Sequence, residues 1–318
     1  MKQRVVIMNT DANWFAEQLS KACPGFTYTA AESPEEAVQQ SPEAEILIGL
    51  APALPEPMLQ SMRNLKWIHA LTTGVDNLLN SPSLGPDVFL SNSSGFHGPQ
   101  MSELAMLLML STLRNYPQVL DNQRAKSWQR WPQPLLWGKT ACIIGVGSIA
   151  EAMASRLVAF EMRVTGVSDG RSEVENFSRI YPRNQINQAV ADAEFVIVLV
   201  PYSPQTHHMI DGPVIEAMRP DGILINLSRG GCVDEEAVEK SARSGSIRAA
   251  ALDVFATEPL PESSPLWDTP RVTITPHIGG ISDNYREQVL PVIINNLNAW
   301  QAGGGSALPD RVQREPAA

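Results

Sequence analysis

Six apolar residues stand in a row at 195–200, Phe-Val-Ile-Val-Leu-Val, with no polar side chain among them. A strand with one wet face alternates apolar and polar positions. An unbroken apolar strand is covered on both faces, as in a parallel sheet flanked by helices. Further β-rich runs recur at 5–8, 45–48, 140–144, 163–167, 222–226, 249–254 and 272–275. Segments of helical period lie between them at 149–160, 214–218 and 235–244, and a strongly apolar helix candidate follows Pro99 at 101–114. Strand and helix alternating in this way predict an α/β fold on parallel sheets. At about 150 residues per domain, 318 residues make two domains.

Composition removes several classes of function. Apolar residues are 43% of the chain and charged residues 18%, enough to bury a core. The net charge of −10 argues against a nucleic-acid partner, which needs a basic surface to displace counterions. Residues 5–8 read as a strand, not a secretory signal. No apolar helix reaches the roughly 20 residues that cross a bilayer, so no membrane partner is expected. Cys23, Cys142 and Cys232 are odd in number and form no CxxC pair, which fits a reducing, cytoplasmic setting. His207 and His208 are adjacent without further ligands nearby in sequence, so no metal site is expected. Residues 128–138, rich in Trp and Pro, read as an irregular connection, and the tail from 303 reads as extended or loosely ordered.

The most specific local pattern is at 140–154, where an apolar strand meets Gly145-x-Gly147-x-x-Ala150 and a helix follows. Gly145 permits the tight turn after the strand. Gly147 presents no side chain to a pyrophosphate, and Ala150 lets the helix pack close to the sheet. The helix N-terminus then offers free N–H groups and the positive end of its dipole. The next strand, 163–167, ends in Ser168-Asp169-Gly170-Arg171. An acidic residue here binds the ribose 2′-hydroxyl of NAD. Ser168 with Arg171 can instead hold the 2′-phosphate of NADP, which Asp169 would repel. The choice between NAD and NADP stays open on these residues.

Three polar residues each follow an apolar run in the second half: Arg229, Glu258 and His277. Ligands of open α/β sheets bind beyond the carboxyl ends of the strands, where all three fall. A guanidinium there can take a carboxylate through two parallel hydrogen bonds, although Arg229 alone could equally form a structural ion pair. A carboxylate beside an imidazole favours its protonated form. Such an imidazolium can give a proton to a carbonyl oxygen as a hydride reaches the carbon, and the neutral ring is the base in reverse.

Four blocks carry a resemblance over nearly the whole chain: Gly145-Val-Gly-Ser-Ile-Ala, Val200-Pro-Tyr-Ser-Pro-Gln-Thr206, Asn226-Leu-Ser-Arg-Gly230, and Asp253-Val-Phe-Ala-Thr-Glu-Pro-Leu-Pro261 leading to Thr275-Pro-His-Ile-Gly-Gly280. In combination the sequence resembles the D-isomer-specific 2-hydroxyacid dehydrogenases, of the glyoxylate/hydroxypyruvate reductase kind. The resemblance implies Arg229 as substrate anchor, His277 as acid and base, and Glu258 as its partner. It implies that the backbone N–H groups of Gly74 and Val75, in Thr72-Thr-Gly-Val-Asp76, meet the substrate carboxylate. Toward the cofactor it implies Ser148 and Ile149 at the pyrophosphate, and Pro201 and Thr206 along the adenosine. Asp253 would lie at the nicotinamide amide and Met101 near the nicotinamide.

The family plan is a Rossmann-type NAD(P)-binding domain at 99–285 inserted into a flavodoxin-like substrate domain of 1–98 and 286–318, with the active site in a cleft and a homodimer formed through the cofactor domain. Two positions depart from the family pattern: Ala150 replaces a third glycine, and Glu161 replaces a glycine before the second strand. The expected substrate is a small 2-keto acid, with glyoxylate and hydroxypyruvate leading. Gly49-Leu-Ala-Pro-Ala-Leu, which should approach the substrate side chain, carries no cation for a phosphate or a second carboxylate. Formate dehydrogenation is a rival within the fold, disfavoured by Glu258 where those enzymes carry Gln. A dinucleotide-sensing corepressor with little turnover is the rival of another class.

Overall fold

A computed structural model describes residues 2–79 and 81–314. The chain divides into two compact units, one taking in the chain up to Phe96 and again from Ser282, the other His97–Ile281.

The first unit opens with β1 (Gln3–Met8), β2 (Phe26–Ala31), β3 (Ile46–Gly49), β4 (Trp67–Ala70) and β5 (Phe89–Ser91). These pair in parallel in the order β2-β1-β3-β4-β5, the flavodoxin-like winding. Alternate residues of the central strands go to opposite faces. Val6, Leu47 and Ile68 enter one apolar layer with Met58 and Leu78, while Val5, Ile7, Ile46, Ile48 and Trp67 enter the other with Phe15 and Leu19.

The second unit contains β6 (Thr140–Ile144), β7 (Arg163–Val167), β8 (Arg179–Tyr181), β9 (Phe195–Val198), β10 (Ile223–Asn226), β11 (Ala249–Leu252) and β12 (Val272–Ile274). The order is β8-β7-β6-β9-β10-β11-β12, all parallel. The winding starts at β6, runs outward to β8, then reverses through β9, which is the Rossmann order with its switch point between β6 and β9. β9 is buried on both faces, as its uninterrupted apolar sequence requires. It ends at Val198, before the sixth apolar residue, because Val200 must turn across Gly145. The helix Gly98–Arg114 lays Met101, Leu104, Ala105, Leu108 and Met109 onto one sheet face. It approaches the helix Ser148–Ala159 so closely that a Cβ on Gly98 would stand 2.7 Å from that of Ala152.

The chain then returns to the first unit through the helix Tyr285–Gly303. Val289, Ile293, Leu297 and Trp300 form its inner stripe, and Trp300 stacks on Trp67 with ring centroids 5.0 Å apart. The final strand, β13 (Arg311–Val312), adds antiparallel to β5. The tail expected to be extended or loosely ordered forms a 3-10 turn at Gly304–Ala307, and at Arg311–Val312 it is extended and caps a sheet edge that would otherwise lack a partner. Residues 315–318 of that tail lie outside the described residues.

Candidate active site

Gly145 adopts φ +100°, and a Cβ there would stand 2.8 Å from the Val200 nitrogen, so the turn after β6 tolerates glycine alone. Gly147 is the opposite case: nothing lies within 4 Å of where its Cβ would be. That open space adjoins the N-terminus of the helix Ser148–Ala159, which no side chain caps. Free N–H groups, a dipole end and an unobstructed approach form a cradle that fits a pyrophosphate. Ala150, 1% exposed, packs the helix onto the sheet, as expected of a small residue in the place of the family's third glycine.

Beyond β7, Ser168, Asp169, Arg171, Ile180 and Pro182 line a cavity of about 310 Å³. Its charged groups are already paired. Asp169 accepts the Arg183 N–H at 2.8 Å and forms an ion pair with that guanidinium at 3.2 Å, while Arg171 pairs with Glu151. Each cation carries a carboxylate, so the pocket presents no naked positive charge to a 2′-phosphate and no naked negative charge to a ribose. Farther along, the Thr206 hydroxyl donates to the Pro201 carbonyl at 2.7 Å and accepts from the Ser203 N–H at 2.8 Å. Thr206, 4% exposed, thus shapes the turn that leaves Pro201 at the surface.

Arg229, Glu258 and His277 follow β10, β11 and β12, three adjacent parallel strands, and so share one edge of the sheet. Asn226, the last residue of β10, sets the first. Its Oδ1 accepts from the Ser228 N–H at 3.1 Å and its Nδ2 donates to the Arg229 carbonyl at 3.0 Å, an Asx turn that carries Arg229 off the strand. The half-buried Arg229 guanidinium donates to the Ser228 carbonyl at 2.7 Å. Next to it, Gly230 lies against the main chain after β11, where a Cβ would overlap the Phe255 carbonyl carbon at 1.8 Å. Only glycine lets the two loops touch.

His277 Nδ1 and Glu258 Oε2 are 2.6 Å apart. The other carboxylate oxygen accepts the Phe255 N–H at 2.9 Å, which fixes the carboxylate plane. A carboxylate accepts and an N–H donates, so Nδ1 carries the proton and Nε2 is the atom left for acid–base work. The His277 side chain is 44% exposed, so Nε2 can be reached. His277 takes φ +52°, a left-handed conformation unusual for a residue with a Cβ.

That conformation is held by Asp253, whose role in it the sequence did not signal. The Asp253 carbonyl accepts the His277 N–H, and its carboxylate accepts from the Ile278 and Gly279 N–H groups and the Thr275 hydroxyl. Asp253 is 1% exposed, and these partners all lie in the His277 turn. Met101 is beside them: a Cβ on Gly279 would stand 3.0 Å from both the Met101 sulfur and Asp253 Oδ2.

Gly74 and Val75 lie in the first unit, in the loop after β4. Thr72 Oγ1 donates to the Gly74 carbonyl at 2.7 Å, Thr73 Oγ1 to the Ser93 carbonyl at 2.9 Å, and Asn92 Nδ2 to the Thr73 carbonyl at 2.7 Å. Val75, 5% exposed, anchors the loop in the apolar core. Among the described residues no group of three His, Cys, Asp or Glu side chains could hold a metal ion, and no helix is long and apolar enough to cross a membrane.

A Rossmann unit with a pyrophosphate cradle at its switch point and an imidazole–carboxylate pair at its strand ends defines a nicotinamide-dinucleotide oxidoreductase. Residues 106–279 match the NAD-binding domain of the D-isomer-specific 2-hydroxyacid dehydrogenases. The glyoxylate/hydroxypyruvate reductase B of Serratia proteamaculans is 32% identical over 276 residues, covering 85% of each chain. The D-3-phosphoglycerate dehydrogenase of Methanocaldococcus jannaschii is 30% identical over 267 residues, 83% of this chain but only 51% of that protein, so the chain spans about half of its length. The crystal structure of a D-isomer-specific 2-hydroxyacid dehydrogenase family protein from Aeromonas salmonicida superposes with a TM-score of 0.92 at 29% identity, covering 99% of this chain and all of that one. The chain belongs to the D-isomer-specific 2-hydroxyacid dehydrogenase family, and its cofactor is NAD or NADP.

Proposed function

We propose that this dehydrogenase reduces a small, uncharged-tail 2-keto acid, with glyoxylate and hydroxypyruvate as its substrates, to the D-2-hydroxy acid. The observation that carries the reading is the 2.6 Å His277–Glu258 pair on the strand edge shared with Arg229. The bound nicotinamide supplies or takes the hydride. His277 Nε2 gives a proton to the carbonyl oxygen in reduction and removes it from the hydroxyl in oxidation, while Glu258 holds the ring and stabilises its charged form. Arg229 takes the substrate carboxylate and polarises the neighbouring carbonyl. The N–H groups of Gly74 and Val75 take the same carboxylate. Small substrates are favoured because the segment after β3 is apolar: Leu54 is buried, and Pro52 and Ala53 are exposed without a cation among them.

The same reading makes the working form a homodimer joined through the cofactor unit. Leu107 is 60% exposed, Trp128 90% and Trp137 65%, apolar side chains of this unit that a contact between copies would cover. The three cysteines are free and buried, which suits a reducing cytoplasm.

The test is absorbance loss at the reduced-nicotinamide band with glyoxylate, hydroxypyruvate, pyruvate and 3-phosphohydroxypyruvate, using NADH and NADPH separately. Turnover of glyoxylate or hydroxypyruvate that vanishes in His277→Ala supports the proposal. Preference for the phosphorylated keto acid, or tight dinucleotide binding without turnover, would sink it.

A further inference from the structure

Behind the loop that holds Gly74 and Val75, a histidine is sealed in the core of the first unit. His69, on β4, is fully buried. Its Nδ1 lies 2.7 Å from Ser91 Oγ and its Nε2 lies 3.0 Å from Ser93 Oγ, both on the chain of β5 and its extension. The direction of every hydrogen bond follows from the two ends. Trp67 Nε1, which can only donate, reaches Ser91 Oγ at 2.8 Å, and the Ala70 carbonyl, which can only accept, takes the Ser93 hydroxyl at 2.9 Å. Ser93 has spent its proton, so His69 Nε2–H must donate to it. Ser91 then gives its own proton to Nδ1. The ring is the neutral Nε2–H tautomer, and the chain runs one way from Trp67 to Ala70 with each step satisfied.

Ser93 is also where the loop is tied. Its N–H donates to the Thr72 carbonyl at 3.2 Å and its carbonyl accepts the Thr73 hydroxyl at 2.9 Å, while Thr72 in turn holds Gly74. On the other side, the Tyr285 hydroxyl donates to the Leu71 carbonyl. The ring therefore fixes Ser93, and Ser93 fixes both residues ahead of Gly74. An apolar side chain would fill the space and leave two buried hydroxyls without their partner.

We propose that His69 is a positioning residue for the substrate carboxylate: through Ser93 it sets the conformation of Thr72–Val75 and hence the aim of the Gly74 and Val75 N–H groups. The inference rests on the proposed substrate role of that loop. A carboxylate anchor grips substrate and transition state alike, so loosening it acts on KM and spares kcat. A displacement on the order of 1 Å is enough to cost 10-fold or more.

The experiment compares His69→Leu, Ser93→Ala, His69→Gln and Gly74→Pro in the full-length enzyme. His69→Leu and Ser93→Ala are expected to raise the KM for glyoxylate about 10-fold, with kcat within about 3-fold and the Kd for the reduced dinucleotide unchanged. His69→Gln, whose amide donates and accepts at similar positions, restores KM to within about 3-fold. Should His69→Leu not fold, Ser93→Ala cuts the same chain one link later with a smaller loss. An unchanged KM in the folded variants, or an equal rise in dinucleotide Kd, overturns the proposal. Gly74→Pro removes a loop N–H directly and separates the two readings. If it raises KM while the His69 and Ser93 variants do not, only the His69 inference falls; if it too leaves KM unchanged, the loop's substrate role falls.

Discussion

Asp253 clamps the turn that carries His277: its main-chain carbonyl accepts the His277 N–H at 2.8 Å, and its carboxylate accepts the Ile278 and Gly279 N–H groups at 3.0 and 2.9 Å. A left-handed residue with a Cβ costs about 1–2 kcal/mol, and charge-assisted bonds to the two following N–H groups offset it. Asparagine keeps the shape but turns one acceptor into a donor facing an N–H. Asp253→Asn is therefore expected to lower kcat about 10- to 100-fold and to cost about 1–3 kcal/mol of stability. Steady-state kinetics and urea unfolding check both. A defect confined to the coenzyme KM would instead make Asp253 a nicotinamide contact without a role in the turn.

The pocket beyond β7 bears on the choice of coenzyme. Asp169 is half exposed and engaged by Arg183, and Arg171 is engaged by Glu151. Neutralising Asp169 frees the Arg183 guanidinium and removes the repulsion that a 2′-phosphate would meet. Exposed pairs are worth about 1 kcal/mol or less, so Asp169→Asn should shift the ratio of kcat/KM for NADPH over NADH about 5-fold toward NADPH. A ratio that does not move would show that the 2′ position is read elsewhere.

Glu161 follows the helix Ser148–Ala159 at φ +58°, where the family pattern has glycine. Its carboxylate gains one exposed hydrogen bond from Trp137 Nε1 at 3.0 Å, which is small compensation. Glu161→Gly relieves the strain and loses some of that gain to unfolded-chain entropy. A net stabilisation of about 0.5–1 kcal/mol is expected, read as a rise in Tm of about 1–4 °C with unchanged kcat.

What the sequence made legible and what it hid divide along contact distance. The pyrophosphate turn is a local pattern, readable from Gly145, Gly147 and Ala150 alone. Arg229, Glu258 and His277 were readable because each follows an apolar run, and parallel strands bring such positions to one edge. The Asp253 clamp was not, because its partners lie 25 and 26 residues away and nothing at Asp253 marks them. His69 was not placed on a strand at all: β4 is only four residues long, and the partners Ser91 and Ser93 come from the end of β5 and just beyond it, a strand itself too short to show a period. β2, β4, β5, β8 and β13 all escaped notice: β2, β8 and β13 sit at sheet edges, where part of each strand stays solvent-exposed and the apolar signal thins, while β4 and β5 are interior but only four and three residues long. Asn226 is the instructive middle case, since Asn two residues before Ser is a recognisable Asx-turn signal.

Buried histidines make the stability of the enzyme depend on acid. Burial lowers His69 to about 3 and His97 to about 4, against about 6.5 for an unfolded chain. Above pH 6.5 neither state binds these protons, and the native state has its full stability. As pH falls below 6.5 the unfolded chain takes up protons that the native rings refuse, so stability is lost toward pH 4 and pH 3. In that window each ring contributes a slope of about 1.4 kcal/mol per pH unit. The groups facing His69 are Ser91, Ser93 and Trp67, none of which titrates in this range. His69→Gln removes one of the two slopes. Urea unfolding at pH 7 and pH 5 should therefore show the variant losing less stability on acidification than the parent, and parallel losses would mean that the His69 ring is protonated in the native state.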